Sequence, residues 1–272
     1  MSVHSETTAR HTTQTIQQMK HAGEKIAMLT SYDYTLAKLV DEAGVDIILV
    51  GDSASNVVCG NQTTLPITLD EMIFLAKGVR RAADHALVVV DMPFGSYHAS
   101  EEDSVKNAVK VMRETGADAL KLEGGVEIMP AVKKILSAGI PIMGHLGLTP
   151  QSVNQFGGYG LRSKSEAEAE RLLRDAHLLE EAGCFSLVLE KIPAALGKRV
   201  SEELHIPVIG IGAGNGTDGQ VLVLHDMLGL NQGFKPKFLR RFAEMGEDVK
   251  KAVGEYVNAV REVAFPSEKE EY

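Results

Sequence analysis

Short runs of apolar, often β-branched residues recur along the chain, and most of them are followed by a segment with helical spacing. Eight such runs are continuous rather than alternating, as expected for strands that are covered on both faces. They span Ile26–Thr30, Asp46–Val50, Leu87–Val90, Ala119–Leu122, Pro141–Gly144, Phe185–Leu189, Pro207–Ile211 and Gln220–Leu224. Eight strands that alternate with helices favour a closed (β/α)8 TIM barrel, an α/β fold, over a doubly wound sheet.

The segments between these runs carry the start and stop signals of helices. A hydroxyl residue followed three residues later by an acid is typical of a helix N-terminus, because the two side chains can satisfy backbone N–H groups there. A glycine often ends the helix in a left-handed conformation. The segments with these signals are Thr68 to Glu71, Ser100 to Asp103 with Gly116, and Ser165 to Glu168 with Gly183.

Two further helices are predicted outside the barrel. Thr12–His21 is expected to form an N-terminal helix that caps the bottom of the barrel. The C-terminal tail has apolar residues at helical spacing, which predicts a helix with a packing face. These residues are Phe238, Phe242, Met245, Val249, Val253, Tyr256 and Val260. No linker is visible, so residues 1–272 are predicted to form a single barrel domain, a usual length for this fold.

Composition narrows the classes of function. The net charge of -9 disfavours nucleic acid and anionic membranes as partners, since both bind basic patches. The sequence contains no run of about 18 apolar residues, so no membrane span is predicted. The polar residues 1–14 lack the apolar segment of a secretory signal. Cys59 and Cys184 do not have the spacing of a zinc site. We therefore expect a cytoplasmic protein whose partners are small molecules.

Carboxylates follow three neighbouring strands of the predicted barrel. Asp52 comes after the second strand, Asp91 after the third and Glu123 after the fourth, so all three would converge on the barrel mouth, where active sites of this fold lie. Adjacent carboxylates repel one another, and a divalent cation relieves that repulsion. Oxygen ligands favour Mg²⁺, with Mn²⁺ or Ca²⁺ as alternatives. The simpler interpretation, that each acid caps a helix or pairs with a surface base, accounts less well for three adjacent strands.

Two more strand ends carry candidate chemistry. Lys121 lies two residues before Glu123 and faces the same side, so it would pair with an acid, hold a substrate anion or, as the weakest option, form a Schiff base. Glu190 ends the sixth strand away from the three acids, where it would suit a general base for a carbon acid. The alternative for Glu190 is an ion pair with Lys191 or Arg199.

The loops at the mouth leave their roles open. His145 could orient or protonate a substrate oxygen, although a lone histidine is more often structural. The long loop at residues 145–160 is either functional or disordered. The glycine-rich residues 212–219 are too few for a crossover helix. Their glycines either cradle a phosphate or permit tight turns and close backbone approach.

Long motifs around these residues resemble the ketopantoate hydroxymethyltransferase family. They read TSYDYTLAKLVDEAGVDIILVGDS, VVVDMPFGSY, ALKLEGG, PIMGHLGLTPQ, LVLEKIP and PVIGIGAGNGTDGQVLVLHDMLGL. The resemblance covers roughly Lys25 to Gly233, keeps the family's order and shows no departure within the motifs.

The resemblance implies a barrel of the phosphoenolpyruvate mutase and isocitrate lyase superfamily. It implies that 3-methyl-2-oxobutanoate, 5,10-methylenetetrahydrofolate and water are converted into 2-dehydropantoate and tetrahydrofolate, a step of pantothenate biosynthesis. It also implies homo-oligomers, commonly decamers. By the same resemblance, Mg²⁺ is held by Asp52, Asp91 and Glu123, the 2-oxo acid is bound by Asp52, Ser53, Asp91 and Lys121, and Glu190 is the proton acceptor. An accessory acid role for His145 is a separate hypothesis.

Three other functions fit parts of the sequence less well. A Mg²⁺-dependent 2-oxo acid carbon–carbon lyase of the same superfamily typically has a catalytic cysteine in a KxCGH-like loop, whereas the corresponding region reads GGVEIMP and GHLGLTPQ. A flavin or sugar-phosphate barrel would not need three acids on adjacent strands. A barrel that only binds or scaffolds would be expected to have a broken acid set.

Overall fold

The computed structural model describes residues 10–272. The prediction that no secretory signal is present rests on residues 1–14. Residues 1–9 of that segment lie outside the described residues. The chain packs into two compact units, one that ends at Leu222 and one that spans Val223–Tyr272. The prediction of a single domain over residues 1–272 stays a prediction.

The first unit contains eight parallel strands that close into a barrel, each hydrogen-bonded to the next and the last to the first. They are β1 (Ile26–Thr30), β2 (Ile47–Val50), β3 (Leu87–Asp91), β4 (Ala119–Glu123), β5 (Ile142–Gly147), β6 (Ser186–Glu190), β7 (Val208–Ile211) and β8 (Gly219–Leu222). The predicted TIM barrel is therefore confirmed, and all eight strands lie where the apolar runs predict them.

Helices surround these strands in the expected alternation. They are α1 (Thr13–Ala22), α2 (Tyr34–Glu42), α3 (Ala54–Val57), α4 (Leu69–Ala82), α5 (Glu101–Thr115), α6 (Met129–Ser137), α7 (Val153–Phe156), α8 (Glu166–Ala182) and α9 (Ala194–Glu203). Capping boxes at Thr68 and Ser165 are confirmed, and the Ser100 side chain accepts the N–H of Asp103. Gly116 and Gly183 end their helices at φ values of 69° and 105°. Local signals thus set the helix boundaries.

The N-terminal helix α1 closes the barrel end at which the strands begin, as predicted. Ile16 of α1 is fully buried in one core cluster with Ile26, Ile47 and Leu87 from the starts of β1, β2 and β3. Burying an isoleucine contributes about 2 kcal/mol. The helix is therefore part of the barrel core.

Three aspartates at the barrel bottom join neighbouring strands by the same device. Each lies directly before an even-numbered strand, donates its own N–H to the carbonyl of a residue on the preceding strand, and accepts that residue's N–H on its side chain. The pairs are Asp46 with Ala27 of β1, Asp118 with Val88 of β3, and Asp218 with Val208 of β7. Bases of the N-terminal segment face the same carboxylates: His11 faces Asp46, Arg10 faces Asp118 and Lys20 faces Asp218.

A fourth carboxylate, Asp41 of α2, is buried against the segment that leads into β3. It accepts the N–H groups of Asp84 at 3.0 Å, His85 at 3.1 Å and Ala86 at 2.7 Å, and His85 Nδ1 lies 3.0 Å from it. Burial raises the pKa of Asp41, but these hydrogen bonds outweigh it, so the pKa is lower than usual. This carboxylate is therefore a structural one.

The chain crosses from β7 to β8 without a helix, as the short spacing predicts. A Cβ on Gly197 of α9 would lie 2.4 Å from the carbonyl oxygen of Ala213. A Cβ on Gly214, whose φ is 82°, would lie 2.5 Å from the Cβ of Ala194. The loop therefore packs directly on α9, which supports close backbone approach, rather than a phosphate cradle, as the role of its glycines.

The second unit contains a short helix α10 (Leu224–Met227) and the longer helix α11 (Met245–Arg261). The predicted eighth strand, Gln220–Leu224, is too long at its C-terminal end, since β8 ends at Leu222 and Val223 O already accepts helical hydrogen bonds. The C-terminal helix is confirmed from Met245 onwards, and its apolar stripe is exposed in the single chain, with Tyr256 58% accessible. No helix within residues 10–272 is long and apolar enough to cross a membrane.

Candidate active site

The mouth of the barrel brings together the four charged residues predicted at the ends of β2, β3 and β4. Asp52, Asp91, Lys121 and Glu123 are all buried. The strand register places Asp91 opposite Lys121. Lys121 Nζ lies 3.0 Å from Asp91 Oδ1 and 3.4 Å from Glu123 Oε1. Of the alternatives for Lys121, the geometry supports pairing with acids.

The charge state of Lys121 follows from these contacts. Burial lowers the pKa of Lys121, but the charges of Asp91, Glu123 and Asp52 outweigh it and raise the pKa above its usual value. The side chain therefore stays an ammonium at neutral pH. A charged ammonium is not a nucleophile, so the Schiff-base option is disfavoured.

Negative charge exceeds positive charge among these side chains. Burial raises the pKa of Asp52, and the charges of Glu123 and Asp91 raise it further. Burial also raises the pKa of Asp91 despite its contact with Lys121. Glu123 differs, because Lys121 and a nearby histidine outweigh burial and lower its pKa to about 2. Among the described residues, three buried carboxylates thus face only Lys121 and this histidine as cationic groups, a surplus of acids that favours a further cation.

The fit of a divalent cation is partial in this arrangement. Asp91 Oδ1 is buried without a well-directed hydrogen bond, as expected of an oxygen that faces a cation. Within residues 10–272, however, no group of three or more His, Cys, Asp or Glu side chains is arranged to hold a metal ion. Lys121 lies between two of the three acids instead. The donor chemistry and charge fit Mg²⁺, and the ligand set implied by the resemblance stays a prediction.

His145 on β5 connects the acids with Glu190 at the end of β6. His145 Nδ1 lies 3.0 Å from Lys121 Nζ and 3.2 Å from Glu123 Oε1, and its Nε2 lies 3.4 Å from Glu190 Oε2. Burial and the charge of Lys121 lower the pKa of His145, but Glu123 and Glu190 outweigh them and raise it to about 8. Glu190 is the most accessible member of this chain of contacts, with its side chain 17% exposed.

The alternative ion pairs of Glu190 are not found in the described part of the chain. Arg199 pairs with Glu170 and Glu203 on the outer helices, and Lys191 donates to the carbonyl of Tyr159. Lys191 has a φ of 50°, a left-handed conformation that is uncommon outside glycine and often found beside functional residues. Glu190 therefore has His145 as its charged neighbour.

Two polar residues at the mouth were not predicted from the strand pattern. Gln151 follows β5 in a 3₁₀ turn and donates from Nε2 to Asp52 Oδ2 at 2.9 Å, while its backbone N–H donates to Glu123 Oε2 at 3.0 Å. Tyr97 donates from its hydroxyl to Gln151 Oε1 at 2.8 Å. Gln151 closes the motif PIMGHLGLTPQ, but an uncharged amide gives no chemical signal in a sequence.

Ser53 lies beside Asp52 at the start of α3, and its Oγ is 2.8 Å from the hydroxyl of Tyr32. Gly51 precedes them, and a Cβ there would lie 2.8 Å from Ser53 Oγ. The strand end therefore has no room for a side chain at residue 51, which keeps Ser53 close to the acids.

A closed (β/α)8 barrel whose mouth buries acids, an ammonium and a histidine defines a barrel enzyme. The chain matches the family model described as ketopantoate hydroxymethyltransferase over residues 10–268. It is 62% identical to the 3-methyl-2-oxobutanoate hydroxymethyltransferase of Parabacteroides distasonis, over 96% of each chain, and 63% identical to that of Phocaeicola vulgatus, over 97% of each. The chain belongs to the ketopantoate hydroxymethyltransferase family and is a one-carbon transferase enzyme.

Solved structures of more distant proteins share the barrel. Phosphonopyruvate hydrolase in complex with oxalate and Mg++ matches with a TM-score of 0.62 and 12% identity, over 96% of this chain and 93% of that one. The 2,3-dimethylmalate lyase, a member of the PEP mutase/isocitrate lyase superfamily, matches with a TM-score of 0.58 and 14% identity, over 96% and 91%. These neighbours have the same barrel fold as this chain. The relatives at about 60% identity are hydroxymethyltransferases, which disfavours the lyase alternative.

Proposed function

We propose that the chain converts 3-methyl-2-oxobutanoate, 5,10-methylenetetrahydrofolate and water into 2-dehydropantoate and tetrahydrofolate, in pantothenate biosynthesis. The observation that carries this proposal is the chain of contacts from Lys121 and Glu123 through His145 to Glu190. The Lys121 ammonium lies on one side of the His145 imidazole, where it suits a substrate carboxylate. The more accessible Glu190 carboxylate lies on the other side, where it suits proton removal.

Binding of the 2-oxo acid is assigned to Asp52, Ser53, Asp91 and Lys121. Lys121 keeps its charge because three acids surround it, so it can exchange part of its contact with Asp91 for the substrate carboxylate. Ser53 Oγ is held by Tyr32 and offers a polar contact beside Asp52. The buried surroundings strengthen both contacts relative to water.

Proton transfer is assigned to Glu190 and His145. Glu190 Oε2 removes the proton from C3 of the substrate, and the C3 carbanion forms a bond to the methylene carbon of 5,10-methylenetetrahydrofolate. The two carbon–nitrogen bonds of that methylene group break, water supplies the hydroxyl oxygen, and protons return to the nitrogens of the departing tetrahydrofolate. Lys121 can only donate, so Nδ1 of a neutral His145 is the acceptor of that contact and Nε2 carries the hydrogen. In the protonated form, Nε2 carries a hydrogen as well. His145 is therefore suited to donate beside Glu190, which supports its accessory acid role.

We also propose that Asp52, Asp91 and Glu123 hold Mg²⁺ as the resident cofactor. The surplus of buried carboxylates over cationic side chains supports this assignment. When bound, Mg²⁺ would polarise the 2-oxo group and make the C3 proton more acidic. Carboxylate oxygens are the ligands that this ion prefers.

A cytoplasmic location and a homo-oligomer, the decamer of the family resemblance, complete the proposal. The exposed apolar stripe of α11 supports self-association, because monomers rarely leave such a stripe accessible. Light scattering coupled to size-exclusion chromatography would measure the number of subunits, and a monomer at micromolar concentration would contradict this part.

The reaction is tested most directly by proton exchange. The protein is incubated with 3-methyl-2-oxobutanoate and Mg²⁺ in D₂O without folate, and the C3 proton is followed by NMR. We expect metal-dependent loss of the signal, abolished in Glu190→Gln and retained in Glu170→Gln, whose carboxylate lies on an outer helix. Absence of exchange, with or without tetrahydrofolate, would refute the proposed chemistry.

A further inference from the structure

We propose that Gln151 is a positioning residue that holds one oxygen each of Asp52 and Glu123 and so fixes the orientation of both carboxylates at the mouth. The proposal rests on the proposed function of these acids. Gln151 is 6% exposed, so its amide serves the interior and not the surface.

The orientation of the Gln151 amide is fixed by its partners. Nε2 donates to Asp52 Oδ2 at 2.9 Å and to the carbonyl oxygen of Met92 at 3.0 Å, and both partners can only accept. Oε1 accepts the hydroxyl of Tyr97 at 2.8 Å. A flipped amide would place its oxygen against two acceptors, so only one orientation satisfies the network.

In each of these carboxylates, one of the two oxygens accepts a hydrogen bond that fixes the orientation of the group. Gln151 holds Asp52 Oδ2 through its side chain and Glu123 Oε2 through its backbone N–H. The N–H of Asp52 in turn holds Asp91 Oδ2 at 2.9 Å. The second oxygens of Asp91 and Glu123 face Lys121.

A neutral donor is suited to this place for an electrostatic reason. A lysine or arginine at residue 151 would cancel the surplus negative charge that a substrate-bound cation needs. A carboxylate there would add a fourth negative charge to a buried cluster. The amide donates to Asp52 without changing the net charge of the cluster. It therefore fixes the orientation of Asp52, and the surplus negative charge that attracts a cation remains.

The position of Gln151 in the chain makes it the link between the loop after β5 and the acids. It lies in the 3₁₀ turn Pro150–Ser152, which follows the strand that carries His145. Loss of its side chain would release Asp52 from the loop while leaving the strand ends intact. We therefore expect weaker binding of cation and substrate and a smaller effect on the proton-transfer step itself.

The test compares Gln151→Ala and Gln151→Glu with the wild type and with Gln155→Ala, an exposed glutamine of the same loop. Mn²⁺ affinity is measured by EPR titration without substrate, and kcat and KM are measured separately. We expect Gln151→Ala to weaken Mn²⁺ binding and raise KM by about tenfold, Gln151→Glu to raise KM as well because its carboxylate cannot donate to Asp52, and C3 exchange at saturation to change by less than about threefold. Gln155→Ala should match the wild type.

Tyr97→Phe provides a second route, since it removes the donor to Gln151 Oε1 and leaves Gln151 present. We expect it to shift Mn²⁺ affinity in the same direction by a smaller factor. Unchanged Mn²⁺ affinity and KM in the Gln151 and Tyr97 variants, with only a lower melting temperature, would overturn the proposal. If the wild type takes up no Mn²⁺, calorimetric affinity for 3-methyl-2-oxobutanoate decides in the same sense. Failure of the proposed function would differ, because the wild type itself would then show no C3 exchange.

Discussion

The two ends of the barrel both bury carboxylates, but they surround them with different partners. At the bottom, Asp218 accepts the N–H of Val208 and the ammonium of Lys20 on one oxygen, so its charge is fully compensated. At the mouth, Asp52 has a neutral amide as its donor, and the charges of Glu123 and Asp91 raise its pKa more than the charge of Lys121 lowers it. The negative charge of an aspartate is thus compensated at the bottom of the barrel and not fully compensated at the mouth.

This difference separates the parts of the chain that stabilise the fold from those that act on a substrate. Bottom acids tie backbone N–H groups of adjacent strands together, and removing one would leave buried donors without a partner. The uncompensated negative charge of the mouth acids is unfavourable in the folded state. Proteins retain such destabilising charge at sites where a bound ligand compensates it. Variants at the two ends should therefore change opposite properties.

The largest effect is expected for Glu190→Gln at the mouth. The amide keeps the size of the side chain but cannot accept the C3 proton, so kcat should fall by about 10³-fold. The free energy of unfolding should change by less than about 0.5 kcal/mol, since Glu190 is partly exposed. Steady-state kinetics and urea unfolding measure the two quantities, and near-normal turnover would rule out Glu190 as the base.

Asp41→Asn at the bottom should show the reverse behaviour. Its carboxylate accepts three backbone N–H groups, that of Ala86 buried and the other two partly buried, and replacing it should lower the free energy of unfolding by about 3 kcal/mol, with kcat per folded molecule unchanged. Asp33→Asn, at the exposed N-cap of α2, is a matched control with a smaller loss. A variant as stable as the wild type would contradict the structural role of Asp41.

The stabilisation by Asp41 should also depend on pH with a definite sign. Its pKa is lowered in the folded state, so the stabilising contribution is fully present above the usual carboxyl value of about 3.9 and is lost as pH falls through the lower folded value. The stability difference between wild type and Asp41→Asn should therefore shrink only below about pH 4. A difference that already shrinks between pH 7 and pH 5 would assign the effect to another group.

The smallest effect, and the sharpest contrast, is expected for Asp52→Asn. The raised pKa of Asp52 means that the folded state disfavours its ionised form, so the variant should be more stable by about 1 kcal/mol in buffer without divalent cations. This gain should be present at neutral pH and vanish below about pH 4, where both forms are neutral. A loss of stability at neutral pH would erase the distinction between the two ends.

The strands and the strand-end acids were predictable because both depend on order along the chain. Continuous apolar runs predict the eight strands, and parallel strands that end at one edge bring Asp91 and Glu123 to the same mouth as Lys121. Pairing of Lys121 with the acids follows from the two-residue spacing on one strand. Local patterns of this kind need no knowledge of loop conformation.

The contacts that the sequence did not predict all involve a loop or the reach of a side chain. Gln151 approaches Asp52 from the loop after β5, a separation of 99 residues that no periodicity encodes. The 3.4 Å contact between His145 and Glu190 depends on rotamers across two strands. Val223 and Leu224 continue the apolar run of β8, so the turn into α10 was hidden by hydrophobicity that suits either element.

The paired aspartates at the barrel bottom have a consequence for recombination between related barrels. Asp46, Asp118 and Asp218 lock β1 to β2, β3 to β4 and β7 to β8. In a chimaera whose crossover falls between β2 and β3, both residues of each aspartate-linked strand pair come from the same parent. No aspartate then has to match a strand from the other parent. A crossover between β3 and β4 divides a lock between two parents. Gene shuffling should therefore yield folded barrels at the first boundary far more often than at the second.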